Sequence, residues 1–284
     1  MAAGLLQLSW RPYRFALPQA LVTSQGAWSE RSGWLLRLRN ADGALGWGEA
    51  VVWPASAQEV CARALAALPE QLERAALEQR LPGLPQPLAC AMGMALAEVD
   101  GLGQAGIAPW RQSPLSAQLL PAGAAMLPAL EALLAAHDGG PLTLKWKVAA
   151  AEDALERQGL EQLLERLPAQ ARLRLDANGG WDRPTAQRWA ERLCQEPRLD
   201  WLEQPLPPND QAGLEALAAQ LPLALDESLR QRPELLQRPW PGWWVRRPVL
   251  EGRQARLDAA QFLTRPHHRA NRHERRRREP PAAG

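Results

Sequence analysis

The chain has 284 residues, 46% of them apolar and 23% charged, which suits a globular protein of one or two domains and excludes a disordered one. Its net charge of +2 hides an asymmetry, because residues 265–284 carry seven Arg against Glu274 and Glu279 and leave the remainder slightly acidic. No apolar run approaches the roughly 18 residues of a membrane span, and no basic segment followed by an apolar core opens the chain, so a soluble cytoplasmic protein is expected.

Residues 5–54 read as strands and turns. Leu5–Leu8 and Trp34–Arg39 are short apolar runs, Asn40-Ala41-Asp42-Gly43 is a turn signal, and Leu45–Ala50 resumes the chain, so 34–50 is predicted to be a hairpin. Residues 56–81 carry Ala, Leu, Glu and Gln at helical spacing, and a second helix is predicted over about 87–104, with small and apolar residues at close-packing positions. From about 115 short apolar runs alternate with helical stretches. The strands fall at 115–120, 142–148, 173–176, 201–203, 223–226 and 243–247, and the helices at about 124–137, 151–167, 183–195, 211–220 and 231–238. That rhythm is the βα repeat of a parallel sheet or barrel. No glycine fingerprint of a nucleotide site follows any strand. The expected organisation is an α+β domain over 1–110, a partial (β/α) barrel over 111–255 and an Arg-rich tail over 256–284.

Cys61, Cys90 and Cys194 match no metal spacing and are expected to be buried thiols. Three of the four His lie at 267–273, leaving His137 alone in the body, which makes a His-based triad or a zinc site improbable. Chemistry points elsewhere. Among 33 basic residues only Lys145 and Lys147 are lysines, two apart on one predicted strand and so on one face of it, with Trp146 on the other. Arg keeps its proton at any physiological pH, whereas Lys loses it when its surroundings depress the pKa; two neighbouring ammoniums depress each other. The next three strands end in Asp176-Ala177-Asn178, Glu203-Gln204-Pro205 and Asp226-Glu227-Ser228. In a (β/α)8 barrel these ends converge at the catalytic face, and three carboxylates there make an oxygen site suited to Mg²⁺. Each acid alone could simply cap the following helix. A lysine poised near neutrality beside such a site can take a proton from carbon next to a carboxylate.

Lys-x-Lys, Asp-x-Asn, Glu-Gln-Pro and Asp-Glu-Ser, in this order, resemble the enolase superfamily in its muconate-lactonising subgroup. Gly46-Trp47-Gly48-Glu49-Ala50 and Arg31-Ser32-Gly33 are similar to segments of that family's N-terminal capping domain, and the resemblance runs from about residue 5 to 252. The compact N-terminal domain and short loops are most similar to the o-succinylbenzoate synthase family. The resemblance implies α/β architecture, an α+β capping domain followed by an enolase-type TIM-like (β/α) barrel. It implies Asp176, Glu203 and Asp226 as Mg²⁺ ligands, Asn178 supporting the first of them, Lys147 as the base and Lys145 tuning it. It also implies a small-molecule carboxylate substrate, with capping loops around Thr23–Gly26 and Trp47–Val52 closing over it and Thr23, Arg31 and Trp47 as substrate-binding candidates. The expected reaction is a syn dehydration that yields an aromatic succinylbenzoate.

Two departures stand out. Where the family has Lys-Pro at the end of strand six this chain has Arg247-Pro248, and Arg cannot serve as a base. That disfavours the N-acylamino-acid racemases and dipeptide epimerases, which need a lysine on each face of the substrate, and suits a dehydratase that needs only a cation there. Beyond Gly252 no seventh or eighth strand is recognisable, so the barrel is expected to be truncated, with the Arg-rich end an out-of-frame reading. The rival reading is a non-catalytic protein binding nucleic acid through that tail; no specific nucleic-acid partner is expected. The sequence leaves the oligomeric state open.

Overall fold

The computed structural model describes residues 4–23, 26–52, 55–103, 108–109 and 115–247. These divide into two compact units, residues 4–16 with 30–108 and residues 17–29 with 109–247.

β1 (Leu5–Thr23), β2 (Gly26–Asn40), β3 (Leu45–Val51) and β4 (Gln71–Glu73) form a sheet of order β3-β2-β1-β4, of which all but residues 17–29 belong to the first unit. The hairpin predicted over 34–50 is β2–β3, with Leu36 opposite Gly48 and the turn closed by Gly43 N–H donating to the Asn40 carbonyl. Gly43 takes φ +87°, a conformation open to glycine at little cost. Leu6, Leu8, Leu36 and Leu38 alternate inward onto α1 (Ala55–Ala66), α2 (Arg74–Arg80) and α3 (Gln86–Val99). Gly46 and Gly48 have a packing role. A methyl group on either would strike the backbone carbonyl of Ala95 or Ala91 in α3, so these glycines let the helix backbone lie directly on β3. Ala91, Met92 and Ala95 answer them from the helix side, fully buried.

Two expectations change here. Residues 56–81 are not one helix: Pro69 follows α1, and the chain extends as β4 to pair with β1 before turning into α2. Residues 9–23, which carry no clear apolar alternation, extend β1 to 19 residues. A further pair of two-residue strands, β5 (Leu102–Gly103) and β6 (Ala108–Pro109), follows α3, which ends at Val99 because the chain reverses at Gly101 with φ +81°.

The second unit alternates strand and helix: β7 (Gln118–Leu120), α4 (Met126–Ala135), β8 (Thr143–Lys147), α5 (Asp153–Arg166), β9 (Arg172–Asp176), α6 (Arg183–Leu193), β10 (Leu199–Glu203), α7 (Gln211–Ala218), β11 (Leu223–Leu225), α8 (Glu227–Gln231) and β12 (Trp243–Trp244). The six strands pair in sequence order, all parallel. The helix over 231–238 is instead a 3₁₀ segment, Pro233–Gln237, after the short α8. Helix starts follow capping chemistry: Asp182 accepts from Thr185 N–H at 2.8 Å and Asp210 from Gly213 N–H at 3.0 Å. One face of the sheet, carrying Leu144, Trp146, Leu173, Leu175 and Leu202, is buried under the helices. Trp146 packs there beside Trp189, which stacks on Trp181 at 4.7 Å. Cys61 and Cys90 are buried as expected, whereas Cys194, which caps the end of α6 just after the buried Leu193, is exposed.

Candidate active site

The opposite face of the sheet carries the polar residues. Strand register aligns Lys147 with Asp176 and Asp176 with Glu203, so the three stand in one row across the C-terminal ends of β8, β9 and β10. Lys145, one pleat lower on the same face, sends its Nζ between the two acids, 2.8 Å from Asp176 Oδ2 and 2.8 and 2.9 Å from the oxygens of Glu203. Lys147 is exposed, with no side-chain partner among the described residues.

Electrostatics follow from that geometry. Burial alone would pull the Lys145 ammonium down, but Glu203 and Asp176 together hold it above the usual lysine range. Lys145 is therefore not the depressed lysine: the nearest charges to it are carboxylates. One ammonium serves two buried acids, so negative charge remains in excess. Burial and the charge of Asp176 push Glu203, 1% exposed, up to about 7.

Asp226, also 1% exposed, follows β11 and is clasped by both ends of the Arg247 guanidinium, with Nε 2.6 Å from Oδ1. Arg247, expected as a cation of the site, here neutralises a carboxylate, because a buried Asp demands a counter-charge. Asn178 reaches Asp176 through its main chain. Its backbone N–H, not its amide, donates to Asp176 Oδ1 at 3.1 Å, while the amide donates to Glu227 Oε1 at 3.1 Å. The left-handed φ of +46° at Asn178, which asparagine tolerates better than most residues, turns the chain so that both bonds form.

Three residues with no role assigned from the sequence shape the site. Gln204, fully buried, accepts at Oε1 from the N–H groups of Asp226 and Ser228 and donates from Nε2 to Ser228 Oγ and the Leu206 carbonyl, tying the end of β10 to the turn that presents Asp226. Glu156 of α5, 3% exposed, accepts from three successive N–H groups, Ala149, Ala150 and Ala151, at 2.8–3.0 Å and so anchors the loop just beyond Lys147. Glu227 is pushed up by burial and by the charges of Asp226 and Asp176, and its Oε2 is buried without a hydrogen-bond partner. Gln204 and Glu227 sit inside the motifs themselves, and that adjacency was the available signal; Glu156 lay in a helix with nothing to mark it.

Among the described residues no three His, Cys, Asp or Glu stand close enough to hold a metal ready-made, since Lys145 and Arg247 occupy the carboxylates. The donor set nevertheless fits a hard divalent cation: all oxygen, buried, carrying more negative charge than its ammonium cancels, with one orphaned oxygen on Glu227.

Arg31 and Trp47 belong to the first unit. The Arg31 guanidinium donates to Glu49 at 2.7 Å, and the Tyr13 hydroxyl donates to the same oxygen, so Arg31 is engaged within the Gly-x-Gly-Glu-Ala segment. Trp47 is half exposed with Arg37 6.0 Å over its ring, and its backbone N–H donates to Glu98. Thr23 ends β1, and its side chain lies outside the described residues, as do Pro248 and the Arg-rich tail.

The chain is similar to known proteins in both sequence and fold. The family described as Enolase C-terminal domain-like matches residues 129–238, which span α4 to the 3₁₀ segment and include the Lys-x-Lys and all three acidic strand ends. The o-succinylbenzoate synthase of Thermosynechococcus vestitus is 37% identical over 87% of this chain and 77% of its own length. A crystal structure of o-succinylbenzoate synthase from Thermosynechococcus elongatus BP-1, complexed with Mg in the active site, superposes with a TM-score of 0.72 at 31% identity, covering 90% of this chain and 80% of that one. A hydrophobic dipeptide epimerase of a Flavobacteria bacterium is 46% identical, but over 21% of this chain and 17% of its own length. At that depth of likeness the chain belongs to the o-succinylbenzoate synthase family of the enolase superfamily.

Proposed function

We propose that the chain is a Mg²⁺-dependent dehydratase that converts 2-succinyl-6-hydroxy-2,4-cyclohexadiene-1-carboxylate to 2-succinylbenzoate, a step of menaquinone and phylloquinone synthesis in the cytoplasm. The observation that carries it is the row of Lys147, Asp176 and Glu203 at one level of the sheet, with Lys145 inserted between the two acids. Asp176, Glu203 and Asp226 would hold the cation, taking up the oxygens that Lys145 and Arg247 contact in this structure. Bound there, Mg²⁺ supplies positive charge opposite the charge that develops on the substrate carboxylate when the neighbouring proton leaves.

Lys147 takes that proton. Its exposed side chain stands beside the acids with no partner among the described residues, so its amine is free to approach substrate carbon. The lysine then returns a proton to the departing hydroxyl on the same face, and the gain of aromaticity drives the step. Lys145 holds positive charge against the carboxylates and transfers no proton. Arg247, which keeps its proton throughout, supplies charge on the other side, so one base serves the reaction and an epimerase's second base is lacking. Loss of water, measured as formation of the aromatic product with and without Mg²⁺, tests the proposal. Wild-type activity that disappears in chelator and in Lys147→Ala is expected; activity surviving Lys147→Ala removes the assigned base. Exchange of the α-proton of an acylamino acid from both enantiomers in D₂O would instead favour the epimerase reading.

A further inference from the structure

The face on which Glu203 stands is decided by one extra residue in β10. Leu199 pairs with Leu173, but Trp201 pairs with Arg174, so Asp200 is inserted as a bulge opposite no residue of β9. Without it, alternation would put Leu199, Trp201 and Glu203 on one face. With it, Leu199 and Leu202 both turn to the buried helix side, and Trp201 and Glu203 turn together to the site.

The residues at the bulge are bound to one another. Asp200 Oδ2 accepts from Arg174 Nε at 2.8 Å. The Arg174 guanidinium lies 3.8 Å from the centre of the Trp201 ring, close enough for a strong cation–π contact. Trp243 of β12 packs on the same indole with centroids 5.6 Å apart. Held between them, the indole donates its N–H to Glu203 Oε2 at 3.2 Å, the oxygen that also receives Lys145. A cation on the ring draws electron density from the N–H and makes it a better donor to a carboxylate.

From this geometry we infer that Trp201 is a positioning residue for the metal site. The Asp200–Arg174–Trp201 chain, set up by the bulge, fixes the carboxylate of Glu203 in the orientation in which it receives a divalent cation. Trp201 touches neither substrate nor metal in this scheme; it acts through Glu203. The inference rests on the Mg²⁺ reading above.

Calorimetric titration of the full chain with Mg²⁺ tests it. Trp201→Phe keeps an aromatic ring in place but removes the donor, and a hydrogen bond to a charged group is worth about tenfold or more in affinity. The expected result is Mg²⁺ binding weakened about tenfold, with the far-ultraviolet spectrum and the unfolding midpoint of the metal-free chain close to wild type. In turnover, the Mg²⁺ concentration for half-activation should rise by more than kcat falls. Arg174→Met, which leaves the N–H but frees the ring, should weaken Mg²⁺ by a smaller factor, and it carries the test if Trp201→Phe does not fold. Unaltered Mg²⁺ affinity in the folded variants, beside a wild type that binds Mg²⁺, would overturn the positioning role alone. No Mg²⁺ binding by the wild type would overturn the metal-dependent function and this role with it.

Discussion

Glu203→Gln should make the metal-free chain more stable at pH 8 and leave it almost unchanged at pH 4.5. Burial and Asp176 raise Glu203 from its ordinary 4.5 to about 7, so between these values the folded chain holds a proton that the unfolded chain has lost. Stability therefore falls as pH climbs through that window, and the full penalty is present above it. At about 1.4 kcal/mol per pH unit the displacement corresponds to about 3 kcal/mol. Gln removes the buried charge and still offers Lys145 an acceptor, while Asp176 keeps its contact with the ammonium. Lys145 loses one ionic partner, so the expected gain is about 1–3 kcal/mol at pH 8. Urea denaturation with chelator present, followed by tryptophan fluorescence at both pH values, measures it. A variant less stable than wild type at pH 8, or one whose advantage is equally large at pH 4.5, would refute the account of a carboxylate cluster short of positive charge.

Other outcomes follow from the same site and from its scaffold. Mg²⁺ binding should release a proton and tighten between pH 6 and pH 8, as Glu203 loses the proton it holds up to about 7; titration calorimetry in two buffers of different ionisation enthalpy reads both effects. Lys147→Ala should lower dehydration by about 10²–10⁴-fold and leave Mg²⁺ affinity near wild type, because Lys147 contacts no carboxylate in the structure. Glu156→Ala strips the acceptor from three backbone N–H groups beside Lys147 and should destabilise the chain by about 3 kcal/mol, a loss visible in denaturation and accompanied by a lower kcat. Gly48→Ala would drive a methyl into the Ala91 carbonyl and should cost about 3 kcal/mol in the same assay, without any direct effect on the acids of the second unit.

The sequence by itself determined the kind of protein this is. Alternating apolar runs and helical stretches from residue 115 onward gave the parallel sheet, because burying both a sheet face and a helix stripe leaves few other solutions. Acids at three successive strand ends placed the polar groups at one edge because the C-terminal ends of parallel strands lie together, and the spacing of two put both lysines on one face of the strand before them. Local spacing failed where long-range pairing overrode it. Residues 9–23 became strand only by pairing along β2, and residues 71–73 only by pairing with β1. The glycines of Gly46-Trp47-Gly48 showed their packing role only once α3 lay upon them.

Within the site, tertiary structure decided which charge meets which. Lys145 is held charged by acids 31 and 58 positions away in sequence, Arg247 is drawn to Asp226, and the Asn178 amide goes to Glu227 rather than Asp176. The bulge at Asp200 is the sharpest case. A strict count along Leu199–Glu203 puts Glu203 on the face of Leu199, and only the pairing with β9 turns it to the opposite one. Residue types and their order fixed which groups would be present, since these are written locally; the partner of each group, and so its charge state, depends on contacts between strands and cannot be written in any one of them.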